Sequence, residues 1–387
     1  MKKVLYIIDD INYNSGAKSV TLLQMKQLQQ NYDVSLLSLE EPRETIDFLD
    51  SKHILEPSIW KNTEIYAASL KNALKNNQYS LSQKISRVLY AISLRCGMGN
   101  VYFERLIKRK LLPVLESFDI VIVVSEASKL RRLVSNLKKP KKIQWIHTDY
   151  ARWSEFSEWS KAICKYDQKI YPRYNKIVVL SNHCKQGLIK KIPSISDKVV
   201  IIPNFVDGNK ILKKSKEVCT VKISAECLNF VTVARIDREK RIEKILELAQ
   251  GLKRQNINFC WYIIGDGPIR EELEQKKQEM NLNNQVVFLG HLENPYPVMS
   301  RCDKMILVSK YEGTPVTIDE AMVLGIGIIA PNIGGIAEQT KDYKAVQLFD
   351  VDKKIKLEML TSKHYQLEQF DFVKENAQIY KTLIENL

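Results

Sequence analysis

Short apolar runs of strand length alternate with stretches of helical spacing along nearly the whole chain, and the alternation happens twice. In the first half, Lys3 to Ile8, Val34 to Leu39, Ile120 to Val124, Ile143 to Ile146, Lys176 to Leu180 and Val199 to Ile202 read as strands. In the second half the same rhythm gives Phe230 to Ala234, Cys260 to Ile264, Val286 to Leu289, Lys304 to Val308, Gly327 to Ala330 and Ala345 to Leu348. Strands separated by helices must pair in parallel through crossovers, so the pattern predicts an α/β chain with two parallel sheets, each covered on both faces. A chain of 387 residues has room for two such cores.

Pro203-Asn204 ends the sixth run, and the Lys-rich stretch from Gly208 to Glu226 reads as a connection. These features predict an N-terminal Rossmann-like domain over residues 1–205 and a second over 206–366, with a helical stretch at about 367–387. A helical insertion at about 62–116 interrupts the first domain between its second and third strands.

No apolar run approaches the roughly 18 residues needed to cross a bilayer. Val4 to Ile8, which runs into Asp9-Asp10, is too short for a signal-peptide core, so a cytoplasmic protein is expected. The seven cysteines contain no Cys-x2-Cys pair, which argues against a zinc cage or a disulfide framework and predicts buried, reduced thiols. The formal net charge of +14 is concentrated: residues 71–142 hold 16 Lys or Arg against Glu104, Glu116, Asp119 and Glu126. Leu81, Ile85, Val88, Leu89 and Ile92 fall on one helical stripe inside that segment. A single such helix could equally pack its stripe on the domain core, but the concentration of charge over the whole segment favours a partner. An anionic membrane surface is therefore expected, with the protein peripheral on its inner face and each nearby cation contributing about 1 kcal/mol.

The chemistry concentrates in Glu312-Gly313-Thr314-Pro315-Val316-Thr317-Ile318-Asp319-Glu320. It joins a strand to a helix. Gly313 lets backbone approach a ligand, Pro315 stiffens the helix entry, and the first-turn amides have no internal partners and attract phosphate. Glu312 and Glu320 can each accept hydrogen bonds from sugar hydroxyls.

This stretch resembles the Glu-x7-Glu signature of retaining family-four glycosyltransferases. Val231 to Leu246 is similar to that family's strand, then Arg-x4-Lys, then helix, with Arg235 and Lys240 at the motif positions. Gly265-Asp-Gly267-Pro resembles its Gly-x-Gly-Pro strand exit, and Gly334-Gly335 with Glu338 its Gly-Gly-x-x-Glu turn.

The resemblance implies the GT-B architecture: two facing Rossmann-like domains with a deep interdomain cleft, and a C-terminal helix that crosses back to the first domain. It implies that Arg235 and Lys240 hold the donor diphosphate and that Glu312 orients the sugar. Glu320 would hold the ribose, while Gly265, Gly267, Gly313, Thr314, Pro315 and Val316 line the donor. In the first domain, Gly16 would approach the diphosphate and His147 would contact the sugar. Asp149 reads equally as an acceptor contact or as the cap of a helix from Tyr150 to Tyr171. Trp153, Phe156 and Trp159 in that helix read as packing residues.

The expected activity is retaining transfer of a hexosyl unit from a nucleotide diphosphate sugar, with UDP the expected nucleotide. The acceptor would be a lipid-linked glycan of a bacterial capsule, exopolysaccharide or similar surface polymer, on the inner face of the membrane. No cofactor or metal is expected, since two cations can stabilise the leaving diphosphate. Asp350-Val-Asp352, the one literal Asp-x-Asp, reads as a cap for a helix starting near Lys353. Two alternatives are a sugar-nucleotide epimerase of the same architecture and a basic nucleic-acid-binding protein. The latter has no zinc-finger, RNP-like or helix-turn-helix signature behind it, so nucleic acid is not an expected partner.

Overall fold

The computed structural model describes residues 1–12, 15–40, 42–55, 65, 69–96, 99–362, 382 and 384. The chain divides into two compact units, one formed by Met1–Val179, Lys185–Ile202 and Tyr380–Leu387, the other by Leu180–Cys184 and Pro203–Ile379.

The first unit is built on a seven-stranded parallel sheet in the order β3-β2-β1-β4-β5-β6-β7. Its strands are β1 (Lys3–Ile8), β2 (Asp33–Ser38), β3 (Ile54–Leu55), β4 (Ile120–Val123), β5 (Lys141–Trp145), β6 (Lys176–Val179) and β7 (Val199–Ile201). Val4 to Ile7 and Ile120 to Val123 are buried at every position, as expected of central parallel strands covered on both faces. β3 was not among the expected strands: its two residues are too few to show a period.

The second unit holds β8 (Leu228–Val233), β9 (Phe259–Ile264), β10 (Val286–Gly290), β11 (Lys304–Ile306), β12 (Gly327–Pro331) and β13 (Val346–Phe349) in the order β10-β9-β8-β11-β12-β13. Successive side chains feed two cores on opposite faces. Val231, Tyr262, Ile264 and Met305 join one; Phe230, Trp261, Ile263 and Ile306 join the other. The sheet's order reverses between β8 and β11, the place where ligands of doubly wound folds collect beyond the strand ends.

Lys304, at the start of β11, is buried, and its ammonium donates to the carbonyls of Met359, Leu360 and Ser362 at 2.9, 3.0 and 2.7 Å. It thereby satisfies carbonyls around the end of the helix Leu357–Thr361, while burial pushes its pKa down to about 8.

Several expectations are corrected. Gly208 to Glu226 is not simply a connection. Asp207 caps a helix, Gly208–Ser215, whose Ile211 enters the second unit's core. The stretch from Tyr150 to Tyr171 is several short helices, because Ser157 leaves helical conformation and forms a capping box with Ser160 for a new start. Asp350 caps no helix at Lys353. It accepts from Asp352 N at 3.1 Å in a local turn, and the next helix begins at Leu357. The thiols are free, but Cys96 is exposed and only Cys184 and Cys302 are fully buried. The terminal helix expected at 367–387 lies outside the described residues except for Thr382 and Ile384, which are helical.

Candidate functional site

The exits of four neighbouring strands in the second unit are tied together by backbone. After β8, Ile236 N donates to Asp266 O at 2.9 Å, binding that loop to the one after β9. Lys310 N donates to Glu239 O at 2.9 Å, binding the β8 loop to the one after β11. Gly335 N donates to Gly313 O at 2.7 Å, joining the loop after β12.

Glycine is required where these loops touch. Gly265 has φ 137°, and a Cβ there would lie 1.9 Å from Ala234 O; one on Gly267 would lie 2.2 Å from Ile236 O. A Cβ on Gly334 would meet Glu312 O at 1.8 Å. The Gly-x-Gly exit therefore has a structural reason independent of any ligand: it lets the β9 loop lie against the β8 loop.

Lys240, from the β8 loop, and Glu312, from the β11 loop, meet across the reversal point with Nζ 2.5 Å from Oε1. Both side chains are largely buried. Arg235 is more exposed and faces Asp237 and Glu239 at 3.0 and 3.5 Å. Thus each candidate phosphate-binding cation has a carboxylate beside it.

Glu312 leads into the helix Val316–Leu324, whose N-cap Pro315 provides no side-chain hydrogen bond to its first turn. Thr314 is fixed by Asn204, whose Nδ2 donates to Thr314 O at 2.8 Å and contacts its Oγ1 at 3.2 Å. Inside the helix, Glu320 Oε1 accepts from the Tyr296 hydroxyl at 2.9 Å. Burial pushes Glu320 up to about 7. Its neighbour Asp319 is pushed up to about 8, chiefly by burial, although Gln339 Nε2 donates to Oδ1 at 2.7 Å; Oδ2 has no partner. Glu338, from the Gly-Gly-x-x-Glu turn, accepts from Asn182 N and His183 N at 2.8 and 2.7 Å.

In the first unit, His147 follows β5. Its Nε2 is shielded from solvent without a hydrogen-bond partner, and burial pushes the imidazole down to about 3, so it is neutral. Its backbone N–H donates to the buried Glu126 at 3.2 Å, and Glu126's carboxyl is raised by burial. Asp149 is buried, with Oδ1 accepting from Arg152 N at 3.4 Å as the cap of Tyr150–Phe156. Gly16 opens the helix Gly16–Leu28 behind Ser15, whose hydroxyl accepts from Lys18 N at 3.2 Å. Trp153 is buried; Trp159 stands exposed against it, edge to face at 6.1 Å.

Sequence reading missed Tyr296, Asp319, Glu126 and Asp9. Asp9 follows β1 and holds the first sheet's own reversal point, accepting from Ser128 Oγ at 2.6 Å and Lys129 N at 2.8 Å. Its only signal was an acid directly after a strand; Tyr296 and Glu126 had none.

Two α/β units with parallel sheets, one carrying a cation–carboxylate pair at its reversal point, place the chain in the GT-B class of folds. The description Glycosyltransferase Family 4 matches residues 15–210, and Glycosyl transferases group 1 matches residues 223–362. The chain belongs to glycosyltransferase family 4.

Among curated relatives it is 32% identical over 137 residues to Bacillus subtilis EpsF, a stretch covering 34% of this chain and 36% of that protein. It is 27% identical over 187 residues to the Escherichia coli UDP-Gal:alpha-D-GlcNAc-diphosphoundecaprenol alpha-1,3-galactosyltransferase, 46% of this chain and 48% of that one. It is 23% identical over 256 residues to the lipopolysaccharide 1,6-galactosyltransferase of Escherichia coli K12, 62% and 66% of the two chains. The chain thus spans about a third to two thirds of the length of these relatives. Anabaena HepE, solved with UDP-glucose, has the same fold at TM-score 0.64 and 14% identity, covering 100% of this chain and 90% of that one. WaaG, a glycosyltransferase of lipopolysaccharide biosynthesis, superimposes at TM-score 0.63 and 10% identity, covering 99% and 93%.

Proposed function

We propose that the protein is a retaining glycosyltransferase that moves a hexosyl unit from a nucleotide diphosphate sugar, a UDP-sugar in the simplest case, to a lipid-linked glycan of a bacterial surface polysaccharide. One observation carries the reading. Lys240 and Glu312, 72 residues apart in sequence, meet at the reversal point of the second sheet, immediately before a helix start that no side chain caps. Such a place offers a cation and free amides to a diphosphate, and a carboxylate to hydroxyls.

The donor diphosphate would take Lys240 from Glu312, and Arg235 from Asp237 and Glu239. Glu312 is then released to accept from the sugar's hydroxyls, and Glu320 from those of the ribose, displacing Tyr296. As the bond from the anomeric carbon to the phosphate oxygen breaks, negative charge grows on the phosphate, where Lys240, Arg235 and the amides at Val316 stabilise it. The acceptor oxygen bonds to the anomeric carbon on the face the phosphate leaves, and its proton passes to the leaving phosphate oxygen. Two cations supply the charge that a divalent metal supplies elsewhere, so a chelator should leave the rate unchanged. In the first unit, His147 is neutral with an unpartnered Nε2, which suits a hydrogen bond to a sugar hydroxyl. Asp149 is the weaker candidate for the acceptor, its carboxylate being engaged as a cap.

The lipid-linked acceptor is supported by the names of two relatives, one acting on a diphosphoundecaprenol-linked sugar and one on lipopolysaccharide. The inner membrane face is the corresponding location. Incubating the purified protein with a panel of nucleotide sugars and lipid-linked acceptors tests the reading by nucleotide diphosphate release. Release that requires both substrates supports it. Donor isomerisation without acceptor would assign an epimerase instead, and silence throughout would remove transfer.

A further inference from the structure

The helix Leu81–Arg95 is inside out. Its inward residues Arg87, Tyr90 and Ser93 are 7%, 5% and 8% exposed, with the Arg87 guanidinium over the Tyr90 ring at 5.5 Å. Ser86 Oγ lies 3.0 Å from the Tyr102 hydroxyl. Its outward residues are aliphatic: Leu81, Ile85, Leu89 and Ile92 are 75%, 54%, 48% and 52% exposed. Their spacing puts them on one stripe. Leu74, on the preceding helix Leu70–Lys75, and Leu94 are exposed as well. Of the nine exposed large hydrophobic residues among those described, six lie in these two helices, so the patch is not the ordinary scatter of surface aliphatics.

The charge around the stripe has one sign. Between Glu64 and Glu104 the chain carries Lys71, Lys75, Lys84, Arg87 and Arg95 and no acid. Lys71, Lys75 and Arg95 are exposed, as are Arg105, Lys108 and Lys110 on the next helix, Gly99–Leu115. A second copy of the chain would bring cations against cations. Nucleic acid would match the charge, but its bases call for aromatic platforms and the stripe is aliphatic. Hydrocarbon bounded by phosphate matches both features. Among the described residues no helix is long and apolar enough to cross a membrane, so the contact is of the interfacial kind.

We propose that the Leu81–Arg95 helix lies in the headgroup layer of an anionic bilayer, with Leu81, Ile85, Leu89 and Ile92 inserted and Lys71, Lys75 and Arg95 on lipid phosphates. The proposal draws its purpose from the lipid-linked acceptor above, but the surface can be tested without catalysis. The full chain is floated with phosphatidylcholine vesicles, with and without phosphatidylglycerol, at low and high salt. Binding is expected only to the anionic vesicles and should weaken with salt. The double substitution Ile85→Glu/Leu89→Glu should lower it by about tenfold or more, and Lys71→Ala or Lys75→Ala by about fivefold each. The replaced side chains are exposed, so the melting temperature and its shift by UDP should be retained. The proposal is overturned if the wild-type chain ignores anionic vesicles, or if the double variant binds them as tightly. It also falls if the wild type sediments as a dimer that the double variant disrupts, or if RNA is bound while vesicles are not. Docking without donor turnover would leave this surface standing and remove the transferase reading; turnover without docking would do the reverse.

Discussion

Lys240 and Glu312 satisfy each other's charge, and this sets unlike expectations for removing either one. Without Lys240, a diphosphate loses a charge-assisted partner while Glu312 remains to repel it. Lys240→Ala should therefore weaken UDP binding by about tenfold or more, a hydrogen bond to a charged group contributing about 1.5–3 kcal/mol. Without Glu312, Lys240 is freed for the anion. Glu312→Ala should bind UDP as well as or better than the wild type and still lose about a hundredfold or more in transfer rate. Calorimetric titration and product release read the two quantities separately. Full activity in both variants would remove the site.

A pH effect belongs to the same scale. Asp319 is held up to about 8 and Glu320 to about 7 by burial, so between about pH 4 and these values the folded chain binds protons that the unfolded chain has released. Their stabilising contribution is complete below about pH 4 and is lost as pH rises through 7 to 8. His147, held down to about 3, acts oppositely: stability rises with pH from 3 to about 6.5, where unfolded histidine gives up its proton. Above about pH 6.5 only the carboxyls remain, so melting temperature should fall from there toward pH 8 and Asp319→Asn should flatten that fall. An unchanged slope in the variant would show that Asp319 is ionised in the folded state.

At the scale of elements, the strand-exit loops depend on glycine for contact with one another. Gly265→Ala would place a methyl 1.9 Å from Ala234 O at φ 137°, which should destabilise the chain by about 2–4 kcal/mol in denaturant titration. A cost near zero would mean that the β9 loop can move away. The Gly-x-Gly spacing was visible in sequence, but its partner was not, since which loop lies against which follows from sheet order.

The same limit governs the helices. Periodicity located Leu81–Arg95 because Leu81, Ile85, Leu89 and Ile92 share a face, but a shared face does not say whether it turns toward the core. Arg87 and Tyr90, packed on each other, decided that. Strands were legible where they are long and buried on both faces, as β1, β8 and β9 are, and illegible at two residues, as β3 is. The break at Ser157 carries a sequence signal, a Ser with a second Ser three residues on. In the site, Lys240 and Glu312 could be read because a spaced motif marks them. Tyr296 could not: its hydroxyl reaches Glu320 from the start of a short helix, Tyr296–Met299, 24 residues away and without any motif.

At the scale of the whole molecule, each unit has its own sheet, and the second has cores on both faces of its sheet drawn from its own residues. Units with separate cores can unfold separately, and a ligand stabilises only the unit that binds it. If the diphosphate site lies wholly within the second unit, UDP at about a hundred times its dissociation constant should add about 2.7 kcal/mol to that unit alone. For a domain of this size the gain corresponds to about 5 to 10 °C. Scanning calorimetry should then resolve two transitions, one moving upward with UDP and one stationary. In Lys240→Ala the mobile transition should lag at the same UDP concentration, because binding is weaker, and in Glu312→Ala it should move at least as far as in the wild type. Two transitions that move together would mean that the nucleotide is held by both units, and the assignment of the diphosphate to Lys240, Arg235 and the Val316 amides alone would fail.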